Sequence, residues 1–110
     1  MDRKKSGELG EALAAMMLME KGYNIIGKNF SCRMGEIDII AYKNGVLAFV
    51  EVKTRLSDNY GSGREAVTAA KQQRIKWCAE YFLGTFCGFY REVDFQVIEI
   101  SAVHLTGLEF

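Results

Sequence analysis

A chain of 110 residues, 49% apolar and 25% charged, is too short for two hydrophobic cores and too apolar to stay unfolded. Residues 1–110 are therefore read as one globular domain. Fourteen basic residues offset fourteen acidic ones, so the chain as a whole lacks the basic excess of many nucleic-acid-binding domains. No apolar run approaches a membrane span, and the start, MDRKKSGELGE, has no signal-peptide core. The expected setting is the cytoplasm, with no membrane partner.

The first predicted element is a helix from about Ser6 to Lys21, with Ser6 as N-cap, Glu8 in the first turn and Gly22 as the stop. Gly7, Glu11, Ala14 and Leu18 share one stripe at helical spacing. Glu11 is the only charge on that stripe; it either turns inward or reaches out at the edge of a core face. A short strand follows over about Tyr23 to Phe30.

Next come two apolar runs on either side of Asn44-Gly45, the strongest short hairpin signal, which favours a two-residue type I′ turn. Counting outward, Lys43 faces Val46, Tyr42 faces Leu47, Ile40 meets Phe49, Asp38 meets Glu51 and Glu36 meets Lys53. Alternation places Ile37, Ile39, Ala41, Ala48, Val50 and Val52 on one face. The other face is apolar near the turn, with Tyr42, Leu47, Ile40 and Phe49, and polar at its far end, with Glu36, Asp38, Glu51, Lys53 and Arg55.

After a polar loop at 56–63, Ser62 and Glu65 have capping-box spacing and open a second helix that runs to about Leu83. Its stripe is Val67, Lys71, Ile75, Cys78 and Phe82, with Lys71 the exception. Val93 to Ile100 alternate as a half-buried strand, with Val93, Phe95 and Val97 on one face. The order αβββαβ predicts an α/β (α+β) domain, a mixed sheet flanked by helices. The tail AVHLTGLEF is either a further strand or disordered.

The acids in the hairpin raise the chemical question. Directly opposed side chains sit about 4.5–5.5 Å apart at Cβ, and like charges there destabilise the pair. Two such carboxylates share a proton or bind a cation. Mg²⁺ and similar hard ions take one or two carboxylates plus water and phosphate oxygen. Lys53 projects from the face of Glu51 and could orient a water or steady charge on a phosphate. The competing reading is a solvent-exposed sheet edge on which acids and lysine pair.

Cys32, Cys78 and Cys87 show no CxxC spacing and are read as reduced, partly buried thiols. With His104 the only histidine, a two-histidine metal site is excluded. From Lys53 to Lys76 the basic residues Lys53, Arg55, Arg64, Lys71, Arg74 and Lys76 outnumber Asp58 and Glu65, giving a basic segment or a solvated face.

GELGEALA at 7–14, GEIDIIA at 35–41, FVEVKTR at 49–55 and Lys71 with Arg74-Ile75 resemble the YraN-like family of small bacterial proteins. More broadly they resemble the PD-(D/E)XK nuclease superfamily, whose restriction-endonuclease-like core has the same αβββαβ order. The resemblance spans nearly the whole chain. It implies a metal-dependent nuclease acting on DNA, with branched or damaged forms as candidate substrates and Mg²⁺ (or Mn²⁺) as cofactor. By the same resemblance Asp38, Glu51 and the Val52 carbonyl hold the metal, Lys53 assists the attacking water, and Glu11 matches a frequent acid of the first helix.

Arg55, Arg64, Lys71 and Arg74 are candidate phosphate contacts. Two departures stand out. Ile37 replaces the superfamily's proline before the acid, and in YREVDFQV at 90–97 Arg91 and Asp94 are too far apart to match the relatives' Arg-aromatic-Asp run. The alternative is a non-catalytic nucleic-acid-binding or protein-interaction module that keeps the fold. A nuclease active only as a homodimer or with a partner is the third reading.

Overall fold

The computed structural model describes residues 3–55 and 68–101, with side chains from Gly7 onward. Its elements are α1 (Arg3–Glu20), β1 (Asn24–Cys32), β2 (Gly35–Lys43), β3 (Val46–Arg55), α2 (Ala69–Thr85) and β4 (Glu92–Ser101). The strands form one sheet in the order β1-β2-β3-β4. The first three are antiparallel neighbours, whereas β4 runs parallel to β3. A parallel neighbour needs a crossover connection, which α2 supplies. The expected mixed α/β order is the one observed.

Both helices start elsewhere than their sequence signals indicated. The first begins at Arg3, so Ser6 lies inside it and is not its cap; Arg and Lys are good helix formers and extend the helix upstream. Its end is as expected. Gly22 takes φ +95°, Gly22 N–H donates to Met19 O at 3.0 Å, and Tyr23 N–H donates to Leu18 O at 3.0 Å. That pair of bonds is a Schellman motif, which a residue with a Cβ closes only with strain. The second helix begins at Ala69 with Thr68 as cap, whose side-chain oxygen accepts from Lys71 N–H at 3.1 Å. Ser62, Glu65 and Val67 lie outside the described residues. Thr68 satisfies one of the helix's free N–H groups, the role expected of Ser62.

The Asn44-Gly45 turn has φ of +48° and +83°, the two positive values a type I′ turn requires. The register follows from it: Lys43–Val46, Tyr42–Leu47, Ala41–Ala48, Ile40–Phe49 and Ile39–Val50 are partners.

Each face of the sheet carries its own core. On one side Ala14, Ala15 and Leu18 of α1 pack on Ile39, Ala41, Ala48, Val50 and Ile98. On the other, Cys78 and Ala79 of α2 pack on Ile37, Ile40, Leu47 and Phe49. Ile37 was expected beside Ile39 but lies in the opposite core. Strict alternation along β2 therefore breaks at the residue between them, Asp38. In β4 the expected face of Val93, Phe95 and Val97 is the more open one. Phe95 is 44% and Val97 54% exposed, while Ile98 is buried against the α1 side. The described part of α2 lies over β2 and β1, with Phe82 reaching Phe49 of β3, and leaves this stretch of β4 more open.

Candidate functional site

The break at Asp38 marks the site. The β2–β3 ladder stops at Ile39–Val50, so the expected pairs Asp38–Glu51 and Glu36–Lys53 do not form. Asp38 Oδ2 instead accepts the Val52 N–H at 2.7 Å. A side-chain carboxylate takes a donor that a backbone carbonyl would hold in a regular ladder, so the paired ladder ends one step short of the acids.

Three further acids gather around this point. Burial pushes the Asp38 carboxyl up to about 7. The Val52 N–H opposes that rise, and the negative charges of Glu51, Glu11 and Glu36 add to it. Glu11, on the partly covered side of α1, is also raised, first by burial and then by Glu36 and Glu51, with the Asn29 amide and Lys28 acting against them. Asn29 sits in β1 with φ +51°, a left-handed conformation that Asn tolerates better than most residues. With its amide oriented to donate, its nitrogen lies 3.1 Å from Glu36 Oε2 and 3.2 Å from Glu11 Oε1. Asn29 thus bridges the helix acid and the strand acid.

Glu51 is buried, its side chain 10% exposed, and Lys71 Nζ lies 2.6 Å from its Oε2. A buried carboxylate needs such a partner, because desolvation without compensation costs several kcal/mol, roughly. Lys71, the odd residue of the α2 stripe, is therefore there to meet Glu51. Lys53 is partly buried two residues further along β3.

The candidate phosphate contacts are not brought together in the same way. Arg55 Nε donates to Glu99 Oε2 at 2.5 Å across β3–β4. Arg74 is exposed beside Gly35, Lys71 is committed to Glu51, and Arg64 lies outside the described residues. Arg91, unassigned from sequence, plays a structural part. Its Nε donates to Asn44 O at 3.1 Å and its backbone N–H to Gly45 O at 2.8 Å, clasping the hairpin turn. Asp94 Oδ2 accepts from Gln96 Nε2 at 2.9 Å.

Chemically the site is a crowded, partly dehydrated set of hard oxygen donors with one lysine paired to it and another beside it. Among the described residues no group of three His, Cys, Asp or Glu side chains is arranged as a ready metal cage. Asp38 and Glu51 offer two carboxylates, the number Mg²⁺ commonly takes when water and phosphate complete its shell. Glu11, Glu36 and Glu51 crowd their negative charge around the half-buried Asp38, a donor set whose chemistry would suit a hydrated divalent ion.

Two features escaped the sequence reading. Asn29 had a signal only in its tolerance of positive φ. The approach of Cys32 to Cys78, whose sulfurs lie 3.1 Å apart, had none, because 46 residues separate them.

Comparison with known proteins places these residues in a family. Residues 10–100 match the model of the uncharacterised protein family UPF0102. A UPF0102 protein of Clostridium perfringens (strain SM101 / Type A) is 46% identical over 98 residues, covering 89% of this chain and 80% of the relative. Relatives from Symbiobacterium thermophilum and Moorella thermoacetica, also UPF0102 proteins, are 46% identical over 98 residues and 38% over 100, each covering 83% of the relative and 89% and 91% of this chain. The chain belongs to the UPF0102 family.

Proposed function

We propose that this protein is a divalent-metal-dependent nuclease that hydrolyses DNA phosphodiester bonds, with branched or damaged DNA as the favoured substrate. The observation that carries the reading is the gathering of Glu11, Asp38 and Glu51 where the β2–β3 ladder stops, with Lys53 following on β3. Bound to Asp38, Glu51 and the Val52 carbonyl, Mg²⁺ or Mn²⁺ would supply positive charge to the phosphate oxygens. The Val52 N–H fixes one oxygen of Asp38, so that carboxylate is held in place before substrate arrives. Lys53 orients the attacking water and steadies charge on the phosphate. Glu11, tied to Glu36 through Asn29, keeps the first helix registered on the acids. Lys71 holds Glu51 in position through its ion pair, and a bound cation would take the place of the ammonium there.

A second reading, a non-catalytic nucleic-acid or protein-interaction module, draws on two observations: Glu51 is already satisfied by Lys71, and Arg55 by Glu99. The discriminating experiment is Mg²⁺- and Mn²⁺-dependent cleavage of single-stranded, duplex, flap and four-way DNA, with Glu51→Gln as the contamination control. Cleavage that disappears in the variant supports the nuclease, and the preferred substrate names the DNA form. Cleavage equal in both proteins, or absent from both while DNA is still bound, favours the module.

A further inference from the structure

Two cysteines join the β1–β2 turn to the second helix. Cys32 ends β1 and pairs with Gly35 across the turn; Cys78 is fully buried in α2. Their sulfurs are 3.1 Å apart, against a bond length of about 2.05 Å in a disulfide.

The surroundings of the two sulfurs differ in sign. Met34 N–H donates toward Cys32 Sγ at 3.4 Å, whereas Cys78 Sγ faces the carbonyls of Gly35 at 3.6 Å and Phe30 at 3.9 Å. A sulfur met by a donor is suited to the thiolate, and one met by carbonyls keeps its proton. The local electrostatics agree. The hydrogen bonds from Cys78 and Met34 hold the Cys32 thiol below its usual range, while burial first, and then Cys32, push Cys78 up to about 12. Among the described residues no further His, Cys, Asp or Glu joins them as a metal-ligating group. The chemistry open to the pair is with each other.

We propose that Cys32 and Cys78 form a reversible two-electron oxidation site that a hydroperoxide converts to a disulfide. The Cys32 thiolate attacks the terminal peroxide oxygen; the O–O bond breaks, an alcohol or water leaves with the added proton, and Cys32 becomes a sulfenic acid. Cys78 then attacks the Cys32 sulfur, the S–O bond breaks, and the hydroxyl leaves as water with the Cys78 proton. Two thiols are oxidised and one peroxide is reduced. The new bond fastens the turn before Glu36 to α2. It does not depend on the nuclease reading.

The test treats the reduced protein with a small excess of hydrogen peroxide, quenches it, unfolds it and counts alkylatable thiols by intact mass and peptide mapping. The expected result is loss of two of the three thiols, a Cys32–Cys78 linked peptide, a melting temperature raised by roughly 10 °C, and reversal by dithiothreitol. Cys87→Ser loses both of its two thiols to the same cross-link and keeps the melting shift and its reversal, and Cys32→Ser abolishes the cross-link. Three alkylatable thiols after treatment, oxidation confined to Cys87, or sulfinic acid on Cys32 without a cross-link would each overturn the proposal. Mapping on the Cys87→Ser protein suffices if Cys32→Ser fails to fold.

Discussion

The two ends of the β2–β3 hairpin are built by different rules. At the turn end Tyr42, Ile40, Leu47 and Phe49 pair in the register that Asn44-Gly45 imposes, and both sheet faces disappear under helices. At the other end the ladder stops one step before Asp38, and a carboxylate takes up the Val52 N–H. The turn end is held by packing, the acid end by polar contacts that leave like charges crowded. A fold that tolerates such crowding beside a well-packed core keeps it for a reason other than stability.

The largest effect separates the ends by their energetics. Phe49→Ala, at the turn end, removes a buried ring that meets Phe82 and Phe95 and should cost about 3–5 kcal/mol in denaturant unfolding. A loss below about 1 kcal/mol would mean the two ends are not distinct in packing. Lys53→Ala should do the reverse, leaving the unfolding midpoint almost unchanged while lowering cleavage by about 10²–10³-fold. Unchanged turnover would remove Lys53 from the chemistry.

Intermediate in size is Lys71→Met. Without its ammonium, Glu51 is left buried and unpaired, at a cost of about 1–3 kcal/mol. Millimolar Mg²⁺ should restore much of that loss if a cation can take the place of the lysine. Destabilisation that Mg²⁺ does not touch would make the Lys71–Glu51 pair purely structural. Gly45→Ala is the smaller turn-end counterpart. At φ +83° the new Cβ meets Arg91 Cγ at 3.1 Å and Phe89 at 3.2 Å, and the cost should be about 1 kcal/mol with no change in metal response.

The last contrast is a pH dependence. The Asp38 carboxyl rises from 3.8 to about 7 on folding, so the metal-free folded state holds this proton more tightly than the unfolded chain. Its contribution to stability is fully present below about pH 4 and is lost as pH rises through about 7. Asp38→Asn should flatten that part of the stability-versus-pH curve measured by chemical denaturation in chelator. If the variant keeps the same slope, the pH dependence belongs to another group.

What could be read from the sequence follows the same division. Element order, the hairpin register from the turn to Ile39–Val50 and the Gly22 stop were legible because each rests on local chemistry: alternation, a two-residue turn, a glycine at positive φ. The acids were legible as types out of place in apolar strands. Their arrangement was not. The displacement of Ile37 to the far core, the bridge through Asn29 and the contact of Cys32 with Cys78 all depend on neighbours distant in the chain. The α2 cap was misplaced because Ser62 has the capping-box partner Glu65 three residues on, whereas Thr68 has Lys71 there, and the helix nevertheless starts at Ala69 with Thr68 as its cap.

The central claim is that the acid end of the hairpin holds a divalent cation. Its most direct test is a calorimetric titration of Mn²⁺ into the wild-type protein, Asp38→Asn and Glu51→Gln near pH 7, with circular dichroism to show that all three are folded. The account predicts one saturable site in the wild type that is lost or much weakened in both variants. No saturable binding to the folded wild type, or the same isotherm in all three proteins, would contradict it.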